Sequence, residues 1–176
     1  MNASLIRRLM AAAVSLGALS AAHADMWTST GSTGTLDEAT AATDVAPAKV
    51  TLSGPYVMLT NATAQSSGVV RYNVTDLFGY TSFTPYFEMR FLDTSATTRV
   101  QAQLRAYNVV TGANRLVASL DSNSVASSSA YQRIWTCGTS MSYANEVYYI
   151  EATLSRTATT GSAALAALRV GEECLL

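Results

Sequence analysis

Six carboxylates, Asp76, Glu88, Asp93, Asp121, Glu146 and Glu151, are the residues with which this chain could do acid–base chemistry. Two carboxylates alone can hydrolyse a glycoside, one as acid and the other as base or nucleophile. No spacing makes any two of the six converge. Asp76, Asp93 and Asp121 fall at strand ends, where Asp serves turns. Glu88 and Glu151 fall on outward strand faces beside Arg or polar neighbours, the setting of cross-strand ion pairs. A glycoside hydrolase therefore ranks third among three functional readings.

Other chemistries lack their groups. The only histidine is His23, inside a segment expected to be removed. Without it no Ser-His-Asp triad, Cys-His pair or histidine metal site can form within the chain. No phosphate-binding or dinucleotide-binding glycine pattern is present. Asp121, Ser122, Asn123 and Ser124 begin like a calcium loop but lack its Gly and its distal Glu, so a Ser-rich turn is the expectation. No cofactor and no metal are expected.

Binding chemistry has a better footing. Gln101, Gln103, Arg105 and Tyr107 alternate along one face of a strand-like run, and Tyr149 shares an outward face with Glu151. Aromatic rings beside amides and a guanidinium can stack on sugar rings and hydrogen-bond hydroxyls. These five are the candidate ligand-binding residues. The bland reading is that outward Tyr on strands serves cross-strand packing.

The ends and the charge set the compartment. Arg7 and Arg8, an apolar stretch over 9–19 too short to span a bilayer, and an A-x-A site at Ala22, His23 and Ala24 read as a signal peptide, 1–24. The expected product is secreted or periplasmic, with no membrane span after cleavage. Setting Arg7 and Arg8 aside leaves nine of the eleven basic residues against twelve acidic ones, with Lys49 the only lysine. No basic cluster appears along the sequence, so nucleic acid is not an expected partner. Cys137 and Cys174, two cysteines in an exported chain, are expected to form one disulfide that ties the tail to a core strand, apart from any ligand.

The elements that must position these groups are strands. Tyr148, Ile150, Ala152 and Leu154 alternate with Tyr149, Glu151 and Thr153 at the period of a half-buried strand. Val100, Ala102, Leu104 and Ala106 do the same, and a Gly112-containing turn leads into a return run with Leu116, Ala118 and Leu120 on one face. Phe87, Met89 and Phe91 form another inward set. Residues 163–170 are ambiguous, because Leu165 and Leu168 stand three apart as on a helix, but a last strand is favoured. Residues 25–48, rich in Thr, Ser and Ala, read as a flexible leader whose one large aromatic is Trp27.

The expectation is an all-β chain: an antiparallel two-sheet β-sandwich of about eight strands over 49–176, with a jelly roll as one way to wind it. The leading functional reading is an exported, non-catalytic module that binds a glycan or another cell-surface component, such as a surface protein. The alternative is a self-associating surface or structural subunit whose leader completes a neighbour's sheet.

Overall fold

A computed structural model of the chain describes residues 26–36, 50–59, 66–75, 82–172 and 174. The signal peptide, residues 37–48 of the expected leader, and Asp76 lie outside the described residues.

The described residues form eleven strands: β1 (Met26–Thr30), β2 (Thr35–Leu36), β3 (Val50–Ser53), β4 (Tyr56–Leu59), β5 (Ser66–Val74), β6 (Tyr86–Asp93), β7 (Thr98–Asn108), β8 (Asn114–Asp121), β9 (Ser128–Cys137), β10 (Glu146–Arg156) and β11 (Ala163–Gly171). They make two antiparallel sheets. Sheet A runs β3–β4–β11–β6–β9, with β1 also paired to β11. Sheet B runs β2–β5–β10–β7–β8. The expected β-sandwich is what the chain forms.

The strands with strict alternation build the core. Val70, Tyr72 and Val74 of β5, Val100, Ala102, Leu104 and Ala106 of β7 and Tyr148, Ile150, Ala152 and Leu154 of β10 point inward from sheet B. Phe87, Met89 and Phe91 of β6 meet them from sheet A, each fully buried. Burying one such Phe contributes about 2–3 kcal/mol. The β7–β8 hairpin closes where expected. The Asn108 side chain accepts from the backbone N–H of Val110 and Thr111, and Gly112 supplies a positive φ of 73°.

Two irregularities change which residues face inward. In β11 the register shifts between Leu165 and Ala167. The extra residue lets Leu165 and Leu168, three apart, both reach the core. The spacing that imitates a helix is produced by a bulge. In β8 the pairing shifts against Leu104 and Arg105, so Leu116 lies outward at 48% exposure while Val117 and Ala118 are both buried. The expected inward set of Leu116, Ala118 and Leu120 is corrected accordingly.

The leader expectation is corrected over residues 26–36. Met26–Thr30 pairs with β11 from Gly171 back to Ala167, and Trp27 is buried in the core. A short 3-10 turn, Gly31–Thr33, then carries the chain to sheet B, where Thr35 and Leu36 pair with β5. The crossing is tight: a Cβ on Gly31 would stand 2.0 Å from the Leu165 carbonyl oxygen. The Tyr72 hydroxyl donates to the Gly31 carbonyl at 2.6 Å and pins the turn. Thr- and Ser-rich composition hid this segment, because an edge strand buries one large side chain rather than an alternating set. It completes the chain's own sheet A, which removes the expected donor segment over these residues.

Cys137 and Cys174 form the expected disulfide, with Cα atoms 5.5 Å apart, inside the usual range.

Candidate functional site

The five residues expected to bind ligand do come together. β7 and β10 are neighbours in the middle of sheet B, and their outward residues pair directly: Arg105 with Tyr149, Gln103 with Glu151, Gln101 with Thr153, and Tyr107 with Val147. Directly opposite side chains start about 5 Å apart, close enough to act as one surface. Arg105 donates from Nε and Nη2 to the Gln103 side-chain oxygen at 3.1 and 2.8 Å, which fixes the guanidinium along β7. The Tyr149 hydroxyl accepts from Asn114 Nδ2 at 2.7 Å. Asn114 lies on β8, so Tyr149 leans across β7 to reach it.

Four of the described carboxylates, Glu151, Asp121, Glu146 and Asp93, serve the scaffold. Glu151 pairs with Arg71, its cross-strand partner, at 3.2 Å. Arg99 clamps Asp121 with Nε–oxygen distances of 3.0 and 3.1 Å, and Arg115 clamps Glu146 at 2.8 and 2.6 Å. Hydrogen bonding from each guanidinium holds the Asp121 and Glu146 carboxyl groups below their ordinary values. Neither therefore carries a proton at neutral pH with which to act as a general acid. Asp93 is buried and accepts the hydroxyl protons of Thr98 and Ser122. Asp121 also accepts from the Asn123 N–H, and residues 122–124 make a 3-10 turn, so the calcium-like stretch is a capped turn.

The outer face of sheet A holds a site that the sequence reading passed over. Along one row, Arg169, Glu88 and Trp135 are direct partners on β11, β6 and β9. Glu88 points outward as expected, yet it is only 5% exposed. Tyr86 donates its hydroxyl to Glu88, and Arg133 and Arg169 flank the carboxylate at 3.6 and 3.7 Å. Burial first, then the bond to Glu88, pushes the Tyr86 hydroxyl up to about 12, so it stays a donor. These groups line a hollow of about 340 Å³, with Met26, Gly171 and Glu172 closing its other side. Trp135, the cross-strand partner of Glu88, packs on Tyr86 with ring centroids 5.4 Å apart and is 50% exposed beside the hollow.

A second hollow of about 230 Å³ opens on the same face. Arg90, Tyr56 and Tyr131 line it over Ala166 and Ala167, and the two tyrosine rings stack at 4.9 Å. The signal for this face was weak in the sequence. Residues 131–137 read as a strand with Ile134 and Trp135 as its bulk, and Tyr56 as part of a short strand buried on both faces. β9 closes one end of sheet A, so its outward rings remain uncovered.

The bridge touches this site. Gly171 and Glu172 line the first hollow, Cys174 follows two residues later, and Cys137 is the direct partner of Tyr86. The sequence reading set the disulfide apart from any ligand; the structure places it beside this hollow.

No protein-family model matches the chain, and no curated protein matches it. Among solved structures, it is similar to the CBM36-1 domain of a multidomain xylanase from the hindgut metagenome of Trinervitermes trinervoides. That overlap has a TM-score of 0.47 and 13% identity, and covers 86% of this chain and 100% of that one. The CBM22-1 xylan-binding domain of Paenibacillus barcinonensis Xyn10C overlaps with a TM-score of 0.40 and 9% identity, covering 86% of this chain and 97% of that one. A chain of the infectious bursal disease virus Gt strain overlaps with a TM-score of 0.39 and 10% identity, covering 86% of this chain and 32% of that one. Overlaps at these scores assign neither a family nor a ligand.

Proposed function

We propose that this protein is an exported, non-catalytic β-sandwich module that binds a glycan on the outer face of sheet A. One observation carries the reading: Trp135, half exposed, packs on Tyr86, which lines a hollow that holds Glu88 between Arg133 and Arg169. An exposed indole offers a flat apolar surface to the C–H face of a sugar ring. Charged groups at its foot accept from and donate to hydroxyls, and they are already held in place by one another. The described carboxylates clamped by Arg99 and Arg115 support binding over hydrolysis. The disulfide fits an oxidising, extracytoplasmic compartment. Among the described residues, no helix is long and apolar enough to cross a membrane.

A second reading places the sugar on sheet B, on Gln101, Gln103, Arg105, Tyr107 and Tyr149. The bond from Asn114 to Tyr149 favours it, because it fixes a tyrosine across the sheet among polar groups. Retention on immobilised polysaccharides separates the two surfaces. Trp135→Ala is expected to weaken retention about tenfold or more, the loss of one stacked ring. Tyr149→Ala leaves retention unchanged. The reverse result assigns the sugar to sheet B.

A further inference from the structure

We infer that the ligand carries acidic sugars, and that Arg90, with Arg133 beside it, receives a uronate carboxylate in the Tyr56–Tyr131 hollow. This deepens the glycan reading of the sheet A face and rests on it.

Arg90 and Arg133 are direct partners across β6 and β9. Like charges directly opposite one another in a sheet destabilise it. Arg133 has Glu88 to offset it at 3.6 Å. Arg90 makes no ion pair among the described residues, and no carboxylate lines its hollow. Its other direct partner is Ala167, on whose far side stands Thr30 of β1, so that row offers no anion. The charge of Arg90 is felt at the Tyr131 hydroxyl, where it opposes the upward push of burial and of Tyr56.

The wider face carries three arginines, Arg90, Arg133 and Arg169, against Glu88 and Glu172. Both glutamates lie in the first hollow with two of the arginines, which leaves the second hollow positive. A guanidinium beside stacked phenol rings suits a pyranose bearing a carboxylate. The rings meet the sugar and the fork takes two oxygens of one planar anion. A neutral sugar would leave Arg90 without an anion.

The test uses the full chain with its disulfide intact and three probes: polygalacturonate, the same polymer methyl-esterified, and dextran sulfate. Affinity is read from electrophoretic retardation in gels holding each polymer. Polygalacturonate is expected to retard the protein most. Arg90→Gln, an exposed change whose fold is checked by circular dichroism, reduces that affinity by roughly tenfold, as for one lost charge-assisted contact. Its binding to the esterified polymer falls by less, so the preference for the acidic polymer narrows.

Equal affinity for the esterified polymer, or no effect of Arg90→Gln, overturns the uronate assignment. Stronger retardation by dextran sulfate does so as well, by making the face a general polyanion patch. If a neutral β-glucan is bound through Trp135 with no preference for acid, the glycan reading survives and this inference fails. If folded protein binds no polymer at all, both fail.

Discussion

Tyr86 lies directly opposite Cys137 in the pairing of β6 with β9, so one residue both lines the sheet A hollow and abuts the disulfide. The bridge closes a loop of 37 residues. In the chain-entropy account such a closure stabilises by about 4 kcal/mol. Opening it also releases the tail behind Gly171 and Glu172, which line the far wall of the hollow. The double variant Cys137→Ser, Cys174→Ser is expected to melt at lower temperature in calorimetry. It is also expected to bind polysaccharide less tightly per folded molecule. A lower melting temperature with unaltered affinity would separate the bridge from the site.

β1 is an integral strand, and its connection to β2 depends on Gly31. A side chain there meets the Leu165 carbonyl and the Val57 N–H, both backbone groups that cannot swing aside. Gly31→Ala is expected to destabilise by about 2 kcal/mol or more, as overpacking does. Urea unfolding measures it. A change within about 0.5 kcal/mol, ordinary for an exposed site, would mean that residues 26–36 do not hold this position.

Two carboxylates set an acid dependence. Hydrogen bonds from Arg99 and Arg115 lower the folded-state values of Asp121 and Glu146 beneath their ordinary 3.8 and 4.5. A group whose folded value is depressed stabilises the fold fully above its unfolded value. That contribution is lost as the pH falls through the folded one. Stability should therefore hold down to the usual carboxylate range and decline below it. Arg115→Gln, by releasing Glu146, is expected to move the acid midpoint seen by circular dichroism to higher pH. Both pairs are partly exposed, which keeps the displacement modest. A midpoint displaced to lower pH would contradict the pairing.

Much of the framework was legible because half-buried strands write themselves in alternation. Tyr148, Ile150, Ala152 and Leu154, and likewise Val100, Ala102, Leu104 and Ala106, take the inward places their period assigns. Legibility failed where a strand departs from that period. The bulge at Ala166 turned a strand into an apparent helix face, and the shift beside Leu116 sent a leucine outward. It failed again at β1, whose partner β11 is more than a hundred residues away in sequence, so no local pattern announces it.

The candidate sites divide in the same way. The sheet B group was visible because Gln101, Gln103, Arg105 and Tyr107 share one strand. The sheet A hollow draws Met26, Tyr86, Arg133, Arg169 and Glu172 from four strands and a tail, and Trp135 packs on its Tyr86. Only the strand order brings them together. The outward direction of Glu88 was legible; the two arginines and the tyrosine that cover it were not.

The central claim is that Trp135 over the Glu88 hollow is the sugar-binding surface. The most direct measurement is affinity electrophoresis of the unsubstituted protein, Trp135→Ala and Tyr149→Ala through gels holding a panel of polysaccharides. The account predicts that at least one polymer retards the unsubstituted protein and Tyr149→Ala alike, and that Trp135→Ala migrates as it does without polymer. Undiminished retardation of folded Trp135→Ala would contradict it.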